Sequence, residues 1–122
     1  MPTTELHTRK LNADLETPVT AYLKLRQIGE WSFLYESVEG PQSWATYSIL
    51  GFGARRIFEV SKATATVRSN KGTQTFAAPD PLTAIRTALQ AEPMLKPEGT
   101  PRFVGGIFGF LSYDAVRSFE PL

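Results

Sequence analysis

Aromatic and polar side chains alternate from Trp31 to Val38, with Trp31, Phe33 and Tyr35 on one parity and Ser32, Leu34 and Glu36 on the other. That period of two predicts a β-strand. Both parities carry apolar groups, so the strand is expected to be central in its sheet. Gly40-Pro41 breaks it, and further strands are expected at about 45–52 and 55–61, with Gly51 and Gly53 flanking the turn between them. The β-prone runs 64–69 and 73–77 are joined by Asn70-Lys71-Gly72, a hairpin signal because Asn and Gly tolerate positive φ. Residues 3–12 alternate loosely and read as a polar edge strand. Phe103–Leu111 reads as an apolar strand interrupted by Gly105, Gly106 and Gly109.

Helices are announced by their caps. Thr17-Pro18 supplies a hydroxyl N-cap with proline at the first helical position, and Ala21, Tyr22, Leu25 and Ile28 then form one stripe ended by Gly29. Asp80-Pro81 repeats the device, with a carboxylate at the positive end of the helix dipole. Leu82, Ile85 and Leu89 are expected to face inward, and Pro93 to end the helix. Residues 93–101 form a proline-rich loop, and Ser112 is placed to cap a last helix carrying Ala115, Val116 and Phe119. The fold class expected is α+β: a mixed, largely antiparallel sheet with two or three short helices packed on it. Residues 1–122 have the length of a single domain or a fragment of one.

Composition narrows the chemistry. The formal charge of +1 comes from 13 basic and 12 acidic residues scattered along the chain, with no basic cluster for nucleic acid or an anionic membrane. No apolar run approaches the ~20 residues that cross a bilayer, and the start lacks a secretory signature; a cytoplasmic protein is expected. There is no cysteine and one histidine, His7, so disulfides, Cys–His nucleophile pairs and nitrogen–sulfur metal sites are excluded. His7 reads as a solvent-facing residue.

Three features remain as candidate chemistry. The glycines at 105, 106 and 109 have the wrong spacing for a dinucleotide fingerprint and lie within the expected strand rather than after it. Glu36 and Glu39, three apart near a turn, lack the further ligands that a hard cation needs. Ser37 falls on the parity of Trp31, Phe33 and Tyr35, so a hydroxyl beside aromatic walls could meet a small amphipathic ligand; equally, it could satisfy local backbone at the strand end.

Two long blocks bring in a family. Phe33-Leu34-Tyr35-Glu36-Ser37-Val38-Glu39-Gly40 followed by Trp44-Ala45-Thr46-Tyr47-Ser48-Ile49-Leu50-Gly51 resembles the "LLESVEG…WARYSIIG" region at the amino terminus of anthranilate synthase component I. Gly105-Gly106-Ile107-Phe108-Gly109-Phe110-Leu111-Ser112-Tyr113-Asp114-Ala115-Val116-Arg117 resembles its later "GGLVGYLGYDAVR" block. Tyr35 stands where the pattern has leucine, and Thr46 where it has arginine.

The resemblance implies a parent enzyme of tryptophan biosynthesis, a lyase that converts chorismate to anthranilate with magnesium and with ammonia from a glutamine amidotransferase subunit. The family's magnesium and chorismate ligands lie in its carboxy-terminal portion, so no cofactor is expected on these 122 residues, which read as a fragment or subdomain without turnover alone. The resemblance further implies half of an allosteric L-tryptophan pocket: Ser37 and Glu36 from one wall, and Trp44, Tyr47 and Ser48 from the other. A "PSPYM"-type loop elsewhere would supply the remainder. Aminodeoxychorismate synthase component I, of the folate pathway, remains an alternative, as does a free-standing amino-acid-binding or interaction module. The "PSPYM" and magnesium-ligand motifs further along a longer reading frame would decide against the module.

Overall fold

The capping signals set the first helix. In the computed structural model, which describes residues 5–36, 47–91, 95–101, 103–118 and 120, α1 spans Pro18–Leu25. Thr17 Oγ1 accepts from the Thr20 amide at 3.1 Å, and Thr20 Oγ1 accepts from the Thr17 amide at 2.8 Å. This reciprocal pair satisfies two orphan donors of the first turn. The stripe of Ala21, Tyr22 and Leu25 is half-buried, while Ile28 lies past the helix and is 50% exposed.

The chain divides into two compact units, one of Leu11–Arg56 and one of Met1–Lys10 with Ile57–Leu122. In the former, β1 (Ser32–Glu36) pairs antiparallel with β2 (Ser48–Phe52), and α1 packs on both strands. Ser32 Oγ donates to Tyr22 Oη at 3.3 Å, tying α1 to one face of the pair. Contrary to the expectation of a central strand, β1 has a single strand neighbour among the described residues. Its second apolar parity is matched by helix α1 rather than by further sheet. Gly51, expected to flank a turn, lies within β2, and the turn residue is Gly53, with φ at 64°.

In the other unit, β3 (Arg56–Ser61), β4 (Thr64–Ser69) and β5 (Gly72–Ala77) form an antiparallel sheet in that order. The β4–β5 turn is as expected, except that only Gly72 of its three residues takes positive φ, 115°. Lys62 and Ala63 turn β3 into β4 with φ of 49° and 58°, a geometry that usually selects Asn-Gly. The Ala63 carbonyl accepts from the Ala78 amide at 2.8 Å, and Ala65 and Ala78 are the buried hydrophobic residues among those described. Helix α2 (Pro81–Gln90) is capped by Asp80, whose Oδ1 accepts from the Leu82 amide at 3.1 Å. Its less exposed stripe is Ala84, Ile85 and Ala88; Leu82 and Leu89, expected inward, are 37% and 47% exposed.

Two expected strands are not formed. Residues 5–13 carry no strand hydrogen bonding, and their alternation is too polar to bury a face. Residues 103–111, apart from the undescribed neighbour at 102, are irregular. Phe103 and Phe108 meet edge to face with centroids 5.4 Å apart. Five residues of straight strand would separate their backbones by about 16 Å, so this segment bends back on itself. Tyr113–Ser118 then forms the helix expected after Ser112, in the tighter 3₁₀ form. The expected roles of Gly40-Pro41, Pro93 and Phe119 lie outside the described residues.

Candidate strand-end site

Register places the described site residues at one end of the β1–β2 pair. Glu36 is directly opposite Ser48, and Tyr35 opposite Ile49. Directly opposed residues hold their Cβ atoms about 4.5–5.5 Å apart, so the Glu36 carboxylate and Ser48 hydroxyl share one face. That face is the one carrying Ser32 and Leu34, whose Ser32 meets Tyr22 of α1. Tyr47, immediately before β2, is 77% exposed, and Tyr35 is 50% exposed. Ser32, Phe33 and Leu34 are half-buried at the other end of β1. The arrangement therefore runs from a packed base to an open tip.

Three of the five residues singled out by sequence, Glu36, Tyr47 and Ser48, come together at this tip. Ser37 and Trp44 lie outside the described residues, as do the rest of 37–46. Chemically, one face of the tip offers a carboxylate that attracts an ammonium group and a hydroxyl that can donate or accept, while the Tyr35 ring lies on the opposite parity beside Phe33.

Sequence reasoning missed the base. Phe33 is directly opposite Gly51, and a Cβ placed on Gly51 would lie 2.5 Å from Phe33 Cζ and 3.1 Å from Cδ1. The phenyl ring thus lies over the glycine backbone. Tyr35, two residues along on the same parity, brings its ring to 5.4 Å from that of Phe33 at an interplanar angle of 42°. The signal was present as an aromatic residue and a glycine, but their pairing depends on register, which alternation alone does not set.

His7 is exposed beside Glu5 at 3.8 Å. Among the described residues no three His, Cys, Asp or Glu side chains converge as a metal site, and no helix is long and apolar enough to cross a membrane.

An α+β piece with a polar and aromatic strand end is the class that the geometry defines. No family model matches the chain, and no solved structure matches it significantly. Curated proteins do. The chain is 45% identical over 111 residues to anthranilate synthase component 1 of Thermus thermophilus, covering 90% of the chain and 22% of that protein. It is 40% identical over 124 residues to the protein of that name from Mycolicibacterium smegmatis, covering 93% of the chain and 22% of that protein. With the Acinetobacter calcoaceticus protein of the same name it shares 34% identity over 117 residues, 93% of the chain and 23% of the relative. The chain is thus related to anthranilate synthase component I along nearly all of its own length, in keeping with the amino-terminal region of that protein. It spans less than a quarter of the length of these relatives.

Proposed function

We propose that this chain is the amino-terminal part of an anthranilate synthase component I and contributes one wall of its L-tryptophan feedback pocket. The observation that carries the reading is the Glu36–Ser48 pairing at an aromatic strand end, in a chain nine-tenths of which aligns with that protein. Glu36 would attract the effector's ammonium, Ser37 and Ser48 would supply hydroxyl hydrogen bonds, and Tyr47 and Trp44 would cover the indole.

Catalysis belongs to the rest of the longer protein. The described residues do not fit a magnesium site, because no three acidic or imidazole side chains converge. In this reading magnesium, chorismate and the glutamine amidotransferase partner belong to the remainder of the longer protein, and the 122-residue chain does not turn over chorismate alone. Cytoplasmic action, without membrane or nucleic-acid partners, goes with this reading.

The test is to assay the longer protein with chorismate and ammonium by anthranilate fluorescence while titrating L-tryptophan, alongside the 122-residue chain. The reading expects turnover inhibited by tryptophan in the longer protein and none from the chain. Formation of aminodeoxychorismate instead of anthranilate would contradict the branch, and tryptophan-insensitive turnover would contradict the pocket.

A further inference from the structure

We propose that Gly51 is a positioning residue for the strand-end pocket, acting through the rings of Phe33 and Tyr35; this rests on the feedback reading above. The argument starts from the space that Gly51 leaves. With a Cβ at 51 only 2.5 Å from Phe33 Cζ, well inside the 3.0 Å that real Cβ atoms respect, the ring can keep its place over β2 only if residue 51 has no side chain. The obstruction is a ring atom of a half-buried residue, not the free end of a long chain. An alanine would therefore have to displace the ring or the strand.

The displacement has a path toward the ligand. Phe33 and Tyr35 share a parity, and their rings meet at 5.4 Å. Tyr35 is the residue before Glu36, which faces Ser48 across the pair. Seating Phe33 on glycine thus gives Tyr35 a fixed neighbour, and Tyr35 in turn orients the last turn of extended backbone before the polar tip. Gly51 touches no ligand in this account.

The experiment compares wild type, Gly51→Ala, Phe33→Leu and the double variant in the longer protein, with Ser37→Ala as a reference. It reads the tryptophan concentration giving half inhibition together with kcat and KM for chorismate. Losing one aromatic pair corresponds to about a 2- to 10-fold rise in the half-inhibition point for Gly51→Ala, with kcat and KM within about twofold. Leucine at 33 is shorter at its tip, so the double variant should lie nearer to Phe33→Leu than the product of the single effects. Multiplicative single effects would overturn the proposal. So would an unmoved half-inhibition point in Gly51→Ala when Ser37→Ala moves it, and that result leaves the pocket reading intact. If Ser37→Ala is also without effect, the pocket reading fails and this inference fails with it. Loss of soluble protein in both Gly51→Ala and the double variant would make Gly51 a purely structural glycine and equally overturn it.

Discussion

Phe33 and Gly51 face each other across the β1–β2 pair, and the phenyl ring fills the space in which any side chain at 51 would begin. The pair forms the packed base of an element whose tip carries Glu36 and Ser48. The packed pair and the polar pair thus lie at opposite ends of the same five-residue strands.

The helix that covers one face of this pair depends on its cap. Replacing Thr17→Ala removes the oxygen that accepts from the Thr20 amide, at a cost of about 1 kcal/mol. Hydrogen exchange of the first-turn amides of α1 should quicken roughly fivefold. Unchanged protection at Thr20 and Ala21 would show that the capping box does not hold the helix end.

Both caps were legible in the sequence because capping is local: Thr17-Pro18 and Asp80-Pro81 act on amides two or three residues away. The strands from 32 to 77 were legible from alternation and turn residues. Residues 103–111 were misread because apolar, β-prone composition does not supply a pairing partner, and the Phe103–Phe108 contact bends the segment instead. In α2 the periodicity located Ile85 on the less exposed stripe but not its neighbours, which are Ala84 and Ala88 rather than Leu82 and Leu89. Of the strand end, Glu36 and Ser48 were singled out through the family resemblance alone, and their pairing, like the Phe33–Gly51 base, required the register.

The Asp80 cap carries a pH dependence. The Thr83 hydroxyl, 2.5 Å from Asp80 Oδ2, together with the Leu82 amide, holds the carboxyl below its ordinary value of 3.8. A depressed carboxyl pKa contributes stability that is complete above the ordinary value and fades as pH falls through the lower, folded value. An NMR titration should place the Asp80 midpoint below 3.8, and Thr83→Val should raise it. A midpoint at or above the ordinary value would refute the cap's electrostatic role.

The β3–β4 turn stores strain at Ala63, whose φ is 58°. Ala63→Val should destabilise the chain by roughly 1–2 kcal/mol, since a β-branched residue resists the left-handed region. Ala63→Gly should be neutral or slightly stabilising, because relief of strain opposes a more flexible unfolded chain. Denaturant midpoints measure both; equal losses for Val and Gly would contradict the turn geometry.

The purified 122-residue chain should self-associate. Phe110, Tyr113, Leu111 and Ile107 are exposed at 82%, 92%, 54% and 45%, within one short stretch of sequence, and apolar surface of this kind favours association. Sedimentation at increasing concentration should show a rising average mass. A sharply monomeric profile with a high, cooperative Tm would contradict this.

The claim that the strand end reads tryptophan is tested most directly at Ser37. Ser37→Ala in the longer protein removes a hydrogen bond worth about 0.5–1.5 kcal/mol if neutral and up to ~3 kcal/mol if charge-assisted. The tryptophan concentration giving half inhibition should therefore rise from a few-fold to about a hundredfold. An effector acts by binding two states differently, so uninhibited turnover and the chorismate KM should hold nearly constant. Ser37→Phe, filling the pocket, should abolish inhibition. A half-inhibition point unmoved by Ser37→Ala, or a loss of turnover as large as the loss of inhibition, would contradict the account.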